Sequence, residues 1–308
     1  MKKVYLFLLA ALLVFAAAGC RARLSDIGQP ESALLIEESA ASELTGSAAS
    51  ESSDLSVQTE TAEPDEKTDE VPLKQVRIAV IDTGFSTRAI PAENIISGKN
   101  YLYPENSTED TYGHGTAIAS VLLQHAPEVL LVPLVSNVFE DNRIRQVDND
   151  VFAQMIMDDV DEYRCDIINI SAGMILDKES VRNACAYAQE QGVLVVASVG
   201  NDYAVNGSAM YYPAGYESVL AVGALNKDGT QIADFSQRGD WVDVFAAGEG
   251  VTIATLSGNT RVSDGSSYSA AKVSAAAANI LCREPEITLT ELKERTGEAI
   301  KSEESFYG

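Results

Sequence analysis

The chain has 308 residues, 46% of them apolar, enough for one large α/β domain with appendages. Its formal net charge is −24, and no basic patch exists to neutralise phosphates, so nucleic acid is excluded as an expected partner. Acidity on this scale concerns solubility and surface field rather than fold.

The N-terminus reads as an export signal over residues 1–19: Lys2 and Lys3, then an apolar run over 4–18 that is too short for a comfortable membrane span, then Gly19-Cys20. Small residues before a cysteine resemble the bacterial lipobox, although Ala17 stands where Leu is usual. That resemblance implies that Cys20 becomes the lipidated first residue of the mature protein. It also implies an extracytoplasmic location on a bacterial cell membrane, held by burial of acyl CH₂ groups. Residues 20–75 are rich in Ser, Ala, Glu and Thr, contain no aromatic residue, and gather acidic side chains from Glu60 to Glu70. Such a stretch buries too little apolar surface to offset the entropy of ordering, so a flexible acidic stalk is expected, with a weak helix over 33–44.

Strand and helix signals alternate from residue 76 to the end. Nearly continuous Val/Ile/Leu runs at 76–81, 129–135, 166–170, 193–198 and 219–222 suit strands buried on both faces of a parallel sheet. Helical patterns lie at 114–124, 148–163, 178–191 and 267–281, and the tail TLTELKERTGEAI reads as a last helix. The expected fold class is α/β, a doubly wound, mostly parallel sheet flanked by helices, in which sites form at the carboxyl ends of strands. Asp82 and Asn201 then fall at strand ends, and His114 and Ser267 at helix starts. Cys165, Cys185 and Cys282 have neither metal-site nor disulfide spacing and are expected to be small core residues.

Three short stretches carry chemistry: IAVIDTG ending at Gly84, YGHGT ending at Thr116, and DGSSYSAAKVSA ending at Ala275. A serine hydroxyl becomes a useful nucleophile when an imidazole takes its proton, and a carboxylate can hold that imidazole in the right tautomer. Asp82, His114 and Ser267 supply these groups, in a chain order known for one triad class. The second histidine, His125, precedes Ala126-Pro127 and reads as a surface residue at a helix end. Asp-Thr-Gly also occurs in aspartic proteases, but that chemistry needs a second triplet or a homodimer and gives His114 and Ser267 nothing to do.

With VLVVASVGN ending at Asn201, these motifs resemble the subtilisin-like serine proteases (subtilases) in order and separation, over about 76–308. The resemblance implies a serine endopeptidase acting on polypeptides. Asp82 would orient His114, His114 would serve as base and then acid, Ser267 would attack, and Asn201 would donate to the oxyanion. Activity is expected to rise with pH as His114 loses its proton, at roughly pH 6–7. Ser171, Ala172 and Gly173 would line one wall of the cleft. Ala197, Ser198, Val199 and Gly200 would wall the pocket for the residue before the cut, with the bulk of Val199 suggesting a narrower pocket. The chain departs from the family at Ser266 (usually Thr), Ala271 (usually Pro), Lys272 (often His) and Ala247 (usually Pro).

No cofactor is required by such chemistry and no metal ligand is expected. Structural calcium is common in the family, but no EF-hand-like loop indicates it here, and Glu140, Asp141 and Asn142 are expected to form a solvated loop. A monomer is expected. Two other readings stay open: a catalytically silent peptide-binding protein at the cell surface, and a protease narrowed to one secreted leader, which cleavage of casein would argue against.

Overall fold

The computed structural model describes residues 73–304. The expected signal peptide, Cys20, the helix at 33–44 and all of the stalk before residue 73 lie outside them.

Within this range the apolar runs become strands and the periodic segments become helices. In chain order they are β1 (Arg77–Asp82), β2 (Lys99–Asn100), α1 (His114–His125), β3 (Leu130–Val135), β4 (Asn137–Glu140), β5 (Arg143–Gln146), α2 (Asn149–Asp158), β6 (Ile167–Ile170) and α3 (Glu179–Glu190). There follow β7 (Leu194–Ser198), α4 (Tyr203–Asn206), β8 (Val219–Leu225), β9 (Val244–Ala247), β10 (Val251–Ala254), β11 (Thr260–Ser263), α5 (Ser266–Arg283) and α6 (Leu289–Glu304). Seven strands form one sheet in the order β2-β3-β1-β6-β7-β8-β9, every pairing parallel.

Side chains alternate across a strand, so each strand feeds two cores. In β1, Ile78 and Val80 join α1, α5 and α6 on one face, while Ala79 and Ile81 join α2 and α3 on the other. Both faces being covered explains why the strands read as unbroken apolar runs. The chain leaves β1 for β3 through α1 and reaches β6 through α2, on opposite faces, so the carboxyl end of β1 is a topological switch point, where α/β sheets place their ligands.

Helix α5 is alanine-rich, and Ala270, Ala271, Ala275, Ala277 and Ala278 are all buried. Small residues let its backbone approach the sheet. A buried polar chain ties it there: Ser274 donates to Asn169 Oδ1 (3.0 Å), Asn169 Nδ2 to Ser171 Oγ (3.2 Å), and Ser171 to the Ser267 carbonyl (3.4 Å). His125 ends α1 exposed, as expected. Cys165 and Cys185 are buried and Cys282 partly so, all three as free thiols.

Two hairpins and the short strands β2 and β9 carried no clear sequence signal. The segment 140–142, expected as a loop, is the tight turn of the β4–β5 hairpin, with Asp141 and Asn142 at φ 50° and 57°. That is the backbone a two-residue hairpin turn demands, and Asp and Asn tolerate it best among non-glycine residues. The helix expected over 148–163 begins as expected, with Asp148 Oδ1 accepting from Asp150 N and Val151 N. It then widens into a π turn over Asp159–Tyr163 and stops at Arg164, whose φ is 51°.

Asp159 at the start of that turn is fully buried, and neither carboxyl oxygen finds a hydrogen-bond partner of proper geometry among the described residues. Burial, with help from the charge of Asp166, pushes its pKa up to about 7, and the nearby Cys165 thiol opposes this only in part. A carboxyl raised in the fold keeps its proton where the unfolded chain has lost it. Its contribution to stability therefore falls as pH rises from the ordinary carboxylate range to about 7, and stays lost above. Asp159→Asn cannot ionise and should raise the melting temperature several degrees more at pH 8 than at pH 5. Equal shifts at the two pH values would refute this account of Asp159.

Candidate active site

Asp82 is the last residue of β1 and is 3% exposed. One of its oxygens accepts from Thr83 N (2.8 Å), and both lie 2.8 Å from His114 Nδ1. A carboxylate only accepts, so it favours the tautomer that keeps the proton on Nδ1 and leaves Nε2 as an acceptor.

The approach of these distant residues depends on what flanks His114. A Cβ on Gly115 would fall 2.3 Å from the Gly84 carbonyl oxygen, so only glycine lets α1 start this close to the end of β1. The Gly115 N–H then donates to Thr83 Oγ1 (2.9 Å). Asp110, a residue the sequence reading passed over, clamps the same turn. Its Oδ1 accepts from Tyr112 N (2.9 Å) and Gly113 N (2.8 Å), and its Oδ2 from Thr116 N (3.0 Å) and Thr116 Oγ1 (2.6 Å). Thr116 Oγ1 in turn accepts from Ser86 N (3.0 Å), joining the turn to the chain leaving β1. A lone Asp shortly before a helix start is the only signal that could have marked it.

Ser267 is the second residue of α5 and opens onto the same cleft as His114 and Asn201, a space of about 180 Å³. Its N–H lies in the first helical turn, where no intrahelical acceptor exists. Two bonds hold the segment after β7 against this helix start: Ser266 N donates to Asn201 Oδ1 (2.7 Å), and Gly200 N donates to Ser266 Oγ (3.2 Å). With its oxygen engaged, Asn201 keeps Nδ2 as the donor end. Tyr268, following Ser267, has its ring centroid 6.5 Å from that of His114 and donates to Ser263 Oγ (3.1 Å). Ala271, where the resembled pattern has proline, is buried within an unbroken α5, so this departure leaves the placement of Ser267 undisturbed.

Of the expected wall residues, Ser171, Ala172, Gly173, Ser198 and Gly200 line the cleft. Ala197 and Val199 do not. Both are wholly buried in the core shared with α2 and α3, because alternate residues of β7 and its extension face opposite sides. Val199 is therefore turned away from the pocket it was expected to narrow. Lining residues that the sequence did not assign to the cleft include Asn137 and Ile144 from the β4–β5 hairpin, Arg261 and Asp264 from β11 and the turn after it, and Tyr211.

The family model described as the subtilase family matches residues 74–305. The minor extracellular protease Epr of Bacillus subtilis is 32% identical over 233 residues, which is 72% of this chain and 34% of Epr, so the chain spans about a third of that relative. Subtilisin BL of Lederbergia lenta is 32% identical over 215 residues, 68% of this chain and 77% of that protein. Among solved structures, Sphericase superposes with a TM-score of 0.64 at 26% identity, covering 76% of this chain and 86% of Sphericase. The S41 psychrophilic protease gives 0.63 at 26% identity, over 71% of this chain and 81% of its own.

Proposed function

Because the chain belongs to the subtilase family and is a serine-type endopeptidase, we propose that Ser267, His114, Asp82 and Asn201 carry out its hydrolysis of polypeptides. The observation that most supports this assignment is the double contact of Asp82 with His114 Nδ1 beside a helix-borne serine in one cleft. Ser267 Oγ attacks the scissile carbonyl carbon as His114 Nε2 takes its proton. The oxyanion forms against Asn201 Nδ2 and the Ser267 N–H. As the C–N bond breaks, His114 returns the proton to the leaving amine. Water then attacks the acyl-enzyme by the same proton route, releasing the acid and restoring Ser267. This sequence needs no cofactor.

A fluorophosphonate should label the folded chain. Failure to label would favour the catalytically silent peptide binder. Asn201→Ala should lower kcat by about 10²–10³ with little change in KM, the scale known for the oxyanion asparagine of subtilisin, since the amide acts on charge that appears only in the transition state. An equal loss on KM alone would remove Asn201 from that role.

We also propose that the protein works outside the cytoplasm, anchored to the membrane by a lipid on Cys20. The support is the charged start, the short apolar run and the Gly19-Cys20 junction. On this reading Cys20→Ala moves the protein from the membrane fraction to the soluble one. Unchanged membrane retention would overturn the anchor.

A further inference from the structure

Of the three tyrosines that line the cleft, Tyr112, Tyr211 and Tyr268, one stands between its two expected pocket walls. Tyr211 lines the cleft yet is 1% exposed. Its ring lies between the two walls. A Cβ built on Gly173 would sit 3.3 Å from Tyr211 Cβ and 3.5 Å from Cδ1, and one built on Gly200 would sit 3.4 Å from Cδ2 and 3.6 Å from Cε2. One ring edge thus meets Gly173 and the other Gly200, and the phenol spans the gap between the walls.

The ring is held at both ends. Its hydroxyl donates to Asp202 Oδ2 (2.5 Å) and accepts from Asn206 Nδ2 (2.9 Å). Asp202 Oδ1 accepts from Gln237 Nε2 (2.7 Å), and Gln237 N donates to the Gly200 carbonyl (3.1 Å), so the anchor is tied to the wall itself. On the backbone side, Met174 and Tyr212 exchange N–H···O bonds of 2.8 Å, fixing the segment that carries Tyr211 against the one that carries Gly173. A side chain so buried and bonded has no free rotamer to retreat into when a ligand arrives.

We propose that Tyr211 closes the bottom of the pocket that receives the side chain preceding the scissile bond, so that the enzyme cuts after small residues (Gly, Ala, Ser) and rejects large ones. This rests on the endopeptidase reading and on residues 171–173 and 198–200 being the pocket walls. The discrimination is steric: a large side chain meets the phenol ring, and rejecting it requires no attraction to the small one.

The test uses the full chain carrying Ser267→Ala, with fluorescently labelled tetrapeptide acids that end in Ala, Leu or Phe. Their terminal carboxylate sets the last residue in the pocket. The Ala peptide should bind on the order of 10²-fold more tightly than the Phe peptide. Adding Tyr211→Gly should invert that order, and adding Tyr211→Phe, which keeps the ring, should preserve it. Should Tyr211→Gly fail to fold, the peptide order in the other two chains still decides. Equal affinities, tighter binding of Phe, or no binding of any peptide overturns the proposal. The catalytic reading fails separately: a parent chain that takes no fluorophosphonate, while its Ser267→Ala form still prefers the Ala peptide, keeps the pocket and loses the chemistry.

Discussion

Ser267→Ala should reduce kcat by about 10⁶ and abolish fluorophosphonate labelling, on the scale known for subtilisin, a relative of this chain. The substitution removes one oxygen from the first turn of α5 and leaves the bonds of Ser266, Asn201 and Gly200 in place. Peptide binding and thermal stability should therefore stay close to those of the parent. Residual activity should come from Asn201 and substrate positioning, about 10³–10⁴ above the reaction in water. Labelling that persists in the variant would move the nucleophile to another serine, with Ser263, Ser266 and Ser269 the neighbours to examine. The structure already argues against two of them: Ser266 is wholly buried with its hydroxyl accepting from Gly200 N, and Ser269, also buried, donates to the Ala246 carbonyl (2.8 Å).

Asp82→Asn should cost about 10⁴ in kcat, again on the scale of the known serine triads, with the fold intact. The loss is one of proton placement. A carboxylate can only accept, so it secures the proton on Nδ1 and the lone pair on Nε2. An asparagine amide in the same 2.8 Å contact can donate to Nδ1, which drives the imidazole proton to Nε2, facing the serine with a donor instead of a base. The carboxylate would also no longer offset the charge of the imidazolium. Steady-state kinetics on one peptide substrate would show a fall in kcat at nearly constant KM. A loss below tenfold would mean that Asp82 serves only to shape the turn, as its bond to Thr83 N already does.

The parallel sheet and the places of Asp82, His114 and Ser267 were legible because each left a local mark. Two-sided burial writes an unbroken apolar strand, and a tight entry into a helix requires the glycine that follows His114. The rest depends on partners distant in sequence. Nothing near Asp110 reveals that its carboxylate collects four donors from the turn around His114. Tyr211 lies in a Met-Tyr-Tyr-Pro stretch that reads as loop or core, and its position between Gly173 and Gly200 exists only once two strand ends and their following loops are assembled. Ala197 and Val199 looked like pocket because they neighbour Ser198 and Gly200, but one residue of offset along an extended chain turns a side chain to the other face. The β4–β5 hairpin was missed because Asp-Asn marks a turn without saying that the flanking residues pair across it.

The polar chain that runs from Ser274 through Asn169 and Ser171 to the Ser267 carbonyl has a consequence for how long the enzyme lasts. It joins the centre of α5 to a central strand of the sheet, and core elements of this kind are generally the last to open. Drift of Ser267 away from His114 would have to break this chain of bonds. The half-life of activity is therefore expected to follow that of the native state, set by the barrier to global unfolding. This suits a protease whose own loosened chains would be substrates for its neighbours.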